Sequence, residues 1–119
     1  MKIIVAEDDR MLSQMYCSIL QEGGHMAVPA YDSMQTMMFT MKQQPDLVLL
    51  DINMPGGTGL DVLRKLKMSS KTKHVPIVVI SGSVDSEIPA QVVELGAKRY
   101  VAKPVDPDAL LAAVREALL

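Results

Sequence analysis

The stretch that most constrains this chain is residues 45–60, PDLVLLDINMPGGTGL. Leu47, Val48, Leu49 and Leu50 form an unbroken apolar run of strand length, the pattern of a strand covered on both faces in a parallel sheet. The run ends in Asp51, and Pro55, Gly56, Gly57 and Gly59 turn the chain out of the sheet just beyond it. In open α/β sheets, sites form in the crevice beyond the carboxyl ends of the strands. Asp51 stands at such an edge, with its carboxylate expected to face solvent. Taken alone, an aspartate there serves equally well as a helix cap or a turn residue. The other strand ends shift the balance.

Lys2–Ala6 reads as a first buried strand, followed by Glu7, Asp8 and Asp9. Met11, Leu12, Met15, Tyr16, Ile19 and Leu20 then recur at helical spacing and predict a first helix that Gly23 and Gly24 stop. Residues 25–30 suit a second strand, placed at a sheet edge by Pro29. Asp32 caps a second helix, whose apolar stripe of Met34, Met37, Met38 and Met41 is expected in the core. Beyond Asp51, Thr58 caps a third helix with Leu60, Leu63 and Leu66 inward, and residues 68–74 form a polar loop. A fourth strand over residues 76–80 runs into Ser81-Gly82-Ser83. A fourth helix lies within residues 86–95, irregular at its start because of Pro89, with Gly96 as its C-cap residue. It is expected to be the least stable helix. Arg99–Ala102 forms a short fifth strand ending in Lys103-Pro104, and Asp106-Pro107 opens a last helix with Leu110, Leu111, Val114 and Leu118 inward. Five strands alternating with five helices predict a doubly wound α/β fold with a five-stranded parallel sheet. The expected strand order is 2-1-3-4-5, flavodoxin-like, with a switch point between strands 1 and 3.

Composition bounds the rest. At 119 residues the chain is read as one domain, residues 1–119. No apolar run approaches the roughly 18 residues of a membrane span, and the N-terminus meets acids at Glu7, too early for a signal peptide. A single cysteine, Cys17, fits a reducing cytoplasm. With a net charge of −2 and both signs interspersed, no electrostatic footprint for nucleic acid is expected. His25 and His74 read as solvated and Cys17 as lying on or near the polar side of its helix, without a role.

That topology gathers Glu7, Asp8 and Asp9 beside Asp51, with Ser81 and Lys103 ending neighbouring strands. Carboxylates about 5 Å apart repel by about 3 kcal/mol per ionised pair at an effective dielectric near 20. Such a cluster favours a hard divalent cation, Mg²⁺ or Mn²⁺. A cation, a lysine and a hydroxyl around one aspartate suit phosphoryl transfer, with the carboxylate as nucleophile.

These residues resemble the receiver domains of two-component response regulators, the CheY-like family. The resemblance spans the whole chain. It rests on the acids after strand 1, D-x-x-M-P-x-x-x-G from Asp51, Ser81-Gly82 after strand 4 and Lys103-Pro104 after strand 5. Separations of 43, 30 and 22 residues between Asp8, Asp51, Ser81 and Lys103 fit as well. The resemblance implies that Asp51 accepts a phosphoryl group from the phosphohistidine of a histidine kinase or histidine phosphotransfer protein. Asp8, Asp51, the Asn53 carbonyl and, through water, Glu7 would hold Mg²⁺, with Mn²⁺ as a substitute. Ser81 and Lys103 would bind phosphoryl oxygens, and Ser81 and Tyr100 would switch a surface of helix 4, strand 5 and helix 5 read by a downstream protein. It further implies a cis Lys103–Pro104 bond, cytoplasmic location, and no direct nucleic-acid or membrane partner. The third acid, Asp9, either substitutes for Glu7 or caps helix 1. A stand-alone signalling receiver rather than an enzyme is favoured. A receiver cut from a larger regulator or hybrid kinase is the alternative. An aspartyl-phosphate phosphatase resembling the haloacid dehalogenases would carry a second aspartate where Asn53 stands. An FMN module would need a phosphate loop and more aromatics than 3%.

Overall fold

The alternation of apolar strands and amphipathic helices appears in the computed structural model, which describes residues 1–54, 59–82 and 87–119. Its elements are β1 (Lys2–Ala6), α1 (Arg10–Glu22), β2 (Met26–Ala30), α2 (Ser33–Gln43), β3 (Leu47–Asp51), α3 (Gly59–Met68), β4 (Ile77–Ser81), α4 (Ile88–Glu94), β5 (Arg99–Ala102) and α5 (Pro107–Ala117). All strands are parallel, in the order β2-β1-β3-β4-β5. This is the doubly wound, flavodoxin-like sheet expected from the sequence. Every residue of β3 and of β4 is buried, because helices cover both faces. Pro29 sits on the edge strand β2, where its missing N–H breaks no central ladder.

Side chains alternate across the sheet and sort the core into two layers. Ile3, Val5, Leu47, Leu49, Val78 and Ile80 pack with α1 and α5. Ile4, Val48, Leu50, Ile77 and Val79 pack with α2, α3 and α4. Asp9, Asp32 and Asp106 cap α1, α2 and α5 through their side chains. Gly96 follows α4 at φ +108, a conformation that favours glycine. The α4 helix is the shortest described, and the side chain of its N-cap residue, Glu87, does not cap it. The segment expected as a polar loop after α3 is folded back on the helix: buried Thr72 donates from Oγ1 to the Leu66 carbonyl at 2.6 Å. The proposed Thr58 cap lies outside the described residues.

The methionines depart most from expectation. Eight of the ten are exposed, among them Met11, Met15, Met34, Met38 and Met41. On α1 the inward face is Ser13, Tyr16, Ile19 and Leu20, which turns Met11 and Met15 to solvent. On α2 the inward face is Ser33, Thr36 and Thr40. Thr36 and Thr40 donate their hydroxyls to the carbonyls of Asp32 and Thr36, so they enter the core with no unmet hydrogen bond. The helix thereby buries short side chains and leaves Met34, Met38 and Met41 outside, while Met37 packs partly against the core as expected. Cys17 likewise packs partly against the core instead of lying on the polar face. His25 is half-buried rather than solvated, with Nδ1 enclosed and without a hydrogen-bond partner; His74 is exposed as expected.

Gly59 opens α3 against the backbone of Ile52, whose carbonyl accepts its N–H at 2.9 Å. A Cβ at Gly59 would land on that backbone, which explains the glycine closing the Asp51 motif. At Gly82 a Cβ would meet only the Lys103 side chain at 3.4 Å. Gly59→Ala is therefore expected to cost about 3 kcal/mol in urea denaturation, at the upper end of overpacking, and Gly82→Ala less than about 1 kcal/mol. Equal costs would contradict this packing.

Candidate functional site

The strand ends that carry chemistry meet at the carboxyl edge of the sheet, beside the β1–β3 boundary where strand order reverses. Period-two alternation does the sorting. Glu7, Asp51 and Lys103 continue the rows of Ile3 and Val5, of Leu47 and Leu49, and of Val101. All three rows belong to the α1–α5 side. Ser81 continues the row of Ile77 and Val79, on the same side as Tyr100. Tyr100 is the register partner of Val79, and its half-buried ring packs against that layer.

Asp51 is only 2% exposed. The expectation of a solvent-facing carboxylate is therefore corrected: the side chain lies under Lys103, whose Nζ donates to Oδ2 at 2.7 Å. The Asn53 amide donates to Oδ1 at 2.9 Å, so the turn after β3 fixes the carboxylate's orientation. Lys103 also reaches Glu7 Oε1 at 3.5 Å. Its backbone N–H bonds the Ser81 carbonyl at 2.9 Å, which ties the end of β4 to the lysine. The Lys103–Pro104 bond is cis. Buried Ser81 ends its strand one residue beyond Ile80, the register partner of Asp51.

Crowding is relieved by a proton as well as by the lysine. Burial, and then the hydrogen bond and charge of Asp51, push the Glu7 carboxyl up to about 8. Glu7 is thus protonated at neutral pH and bonds the Asp51 carboxylate. Burial alone would raise Asp51, but hydrogen bonds from Glu7 and Lys103 outweigh it and hold its pKa below the usual value. Burial works against the Lys103 ammonium, and Asp51 and Glu7 more than restore it, so its pKa is raised. In the buried part of the cluster, mutually repelling anions give way to the Asp51 carboxylate flanked by a cation and a neutral acid, with exposed Asp8 at the rim.

Glu7, Asp8 and Asp51 each offer an oxygen, all within 4.8 Å of one another. An all-oxygen set with exposed Asp8 at its mouth suits a hard divalent cation. Asp9 stands apart: its Oδ1 accepts from the amides of Met11 and Leu12, which makes it the helix cap. Arg10 does not neutralise the acids either, since its guanidinium stacks 3.8 Å over the Tyr31 ring. Tyr16 carried no signal in the sequence beyond an apolar helix position. Tyr16 is 1% exposed, and burial raises its pKa against the opposing charge of Lys103, with Glu7, Asp51 and Asp9 adding to the rise.

A family model for the response regulator receiver domain matches residues 3–115. The chain is 32% identical over 114 residues to the phosphate regulon transcriptional regulatory protein PhoB of Escherichia coli, covering 96% of this chain and 50% of PhoB. It is 37% identical over 117 residues to the DNA-binding response regulator MtrA of Mycolicibacterium smegmatis, covering 98% and 50% respectively. The chain thus spans about half the length of the curated relatives it matches. Among solved structures, the BeF3-activated N-terminal receiver domain of Klebsiella pneumoniae RstA superposes with a TM-score of 0.91 at 29% identity, covering 99% of this chain and 98% of that one. The chemotaxis response regulator CheY4 of Vibrio cholerae superposes with a TM-score of 0.89 at 26% identity, covering 98% and 97%.

The Glu7 proton makes stability pH-dependent. Its carboxyl holds a proton up to about pH 8 when folded but ionises near 4.5 when unfolded. Between those values the native state binds more protons, so stability falls as pH rises. Metal-free protein is expected to lose stability from about pH 5 to 8, with a slope of at most about 1.4 kcal/mol per pH unit for one proton. Glu7→Gln should flatten that slope. Urea melts in chelator across this range provide the check, and a wild-type curve that rises with pH would contradict the protonated acid.

Proposed function

This chain belongs to the response regulator receiver family, and from that premise we propose that residues 1–119 act as a phosphoacceptor domain in which Asp51 is the acceptor. The observation that carries the reading is the Asp51 carboxylate at the end of β3, oriented by the Asn53 amide and clamped by Lys103 at 2.7 Å. A phosphohistidine on a histidine kinase or a histidine phosphotransfer protein is the donor. An Asp51 oxygen attacks phosphorus, the phosphorus–nitrogen bond breaks, and the departing imidazole nitrogen takes up a proton. Lys103 then transfers its hydrogen bond from the carboxylate to a phosphoryl oxygen, a charge-assisted contact of the stronger kind. Ser81 supplies a hydroxyl on the other side.

Asp8 and Asp51, the Asn53 carbonyl and, through water, Glu7 are the residues that would hold Mg²⁺, or Mn²⁺ in its place. Such a cation supplies neutralisation of phosphoryl charge when bound. Glu7 has to share or give up its proton to serve there, so cation binding should release acid.

Phosphorylation brings new acceptors beside Ser81, which lies on the same side of the sheet as Tyr100. A shift of Ser81 toward the phosphoryl group makes room for Tyr100 to pack deeper. It thereby biases the surface of α4, β5 and α5 that a downstream protein reads. The α4 helix, the shortest described, is the element easiest to rearrange. The domain signals rather than turning over a substrate, and assists its own phosphorylation and dephosphorylation. We assign it to the cytoplasm; no helix among the described residues is long and apolar enough to cross a membrane. The transcriptional regulation in the name of PhoB and the DNA binding in that of MtrA belong to proteins about twice this length.

Acetyl phosphate with Mg²⁺ should add one phosphoryl group, and Asp51→Asn should abolish the addition in intact-mass spectra. Lys103→Ala should slow labelling about 10–100-fold, the rate equivalent of losing a charged hydrogen bond. Unchanged labelling of Asp51→Asn would end the assignment.

A further inference from the structure

The even charge balance of the whole chain hides a strong local asymmetry. Residues 62–84 contain no acid, while Arg64, Lys65, Lys67, Lys71 and Lys73 fall within ten positions. These are five of only twelve Lys and Arg residues in the protein. The fold adds Lys98. Its backbone N–H bonds the Ile77 carbonyl at the start of β4, and its charge acts on Lys67. Lys67 is drawn inward, donating to the carbonyls of Lys73 at 3.2 Å and Val75 at 2.7 Å. Arg64 is paired with Asp61. That leaves Lys65, Lys71, Lys73 and Lys98 exposed and, among the described residues, without an ion-pair partner.

Helix-dipole compensation accounts for part of this and no more. Lysines in the last turn of α3 offset its negative end. Lys71, Lys73 and Lys98 lie beyond that turn, on separate segments, where gathering like charges only adds repulsion. The cluster also sits at the amino ends of β4 and β5, a strand length of about 16 Å from the Asp51 edge, so the phosphoacceptor chemistry does not call for it.

The character of the patch narrows the partner. Protein interfaces are depleted in lysine and built on aromatic or apolar anchors; here the one exposed large apolar side chain is Met68. An anionic membrane would likewise want an apolar face to insert. Flexible lysines interleaved with Ser69 and Ser70 instead match the groups that contact phosphodiester oxygens without reading bases. We propose that the pole formed by the end of α3, the 69–74 turn and the loop before β5 binds nucleic acid through its phosphate backbone, without sequence preference.

Fluorescence anisotropy with two unrelated 20-base-pair duplexes, titrated from 50 to 200 mM salt, tests this. Both duplexes should bind alike, with a log–log salt slope of about −3 to −4 for four phosphate contacts. Replacing Lys65, Lys71, Lys73 and Lys98 together by Gln should weaken binding at 50 mM salt at least about tenfold and flatten the slope. The corresponding set of Lys→Arg changes should retain binding, and Lys42→Gln, on α2, should change nothing. Acetyl-phosphate labelling of the Gln variant at the wild-type rate shows that the fold and the Asp51 site are intact, independently of the DNA result. No wild-type binding at 50 mM salt, an unaffected Gln variant, or binding to phosphatidylserine vesicles but not to the duplexes would each overturn the proposal.

Discussion

Everything at the carboxyl edge of this sheet depends on how one buried negative charge is kept. Asp51 is almost fully enclosed, and an isolated carboxylate there would be far too costly to ionise. The Lys103 ammonium and the Glu7 proton together make the charge sustainable. Neither comes from a neighbour in the chain: Lys103 is 52 residues away from Asp51. The pair exists only when β1, β3 and the end of β5 are in register, so the proposed acceptor is ready only in the folded sheet. Removing one partner of such a pair leaves an uncompensated buried charge, which is usually more damaging than the pair itself is stabilising.

Much of this was legible in the sequence because the strands are short, apolar and punctuated. The runs before Glu7, Asp51, Ser81 and Lys103 read as buried strands, and alternation with helices left few topologies open. Strand order then brought the four ends to one edge. Two things were not legible. One was depth: a residue at a strand end can face the crevice or lie under a neighbour, and only the reach of Lys103 across β4 decided for Asp51. The other was protonation. Counting acids treats each as a charge, whereas burial and Asp51 keep Glu7 neutral.

The helices were misread for a different reason. Periodicity identifies stripes but does not say which one faces the sheet when two compete. In α2, methionine looked apolar and threonine polar. Yet Thr36 and Thr40 satisfy their hydroxyls on their own helix and are fully buried. Met37 alone of the four expected methionines packs partly against the core, and Met34, Met38 and Met41 stay outside. In α1, Tyr16 and Leu20 take the inward positions and leave Met11 on the far side, 82% exposed.

The division of the sheet into two layers has a consequence for how such a protein can diverge. Glu7, Asp51 and Lys103 belong to one layer, Ser81 and Tyr100 to the other, and the Lys103 amide to Ser81 carbonyl bond is a backbone joint between them. A backbone joint is indifferent to side-chain identity. Apart from Ser81 and Tyr100, the α2–α4 layer is therefore free to accumulate new surfaces, including its exposed methionines, while the acid–lysine layer stays chemically unchanged. Descendants of one ancestral domain could keep a common chemistry and still acquire separate audiences.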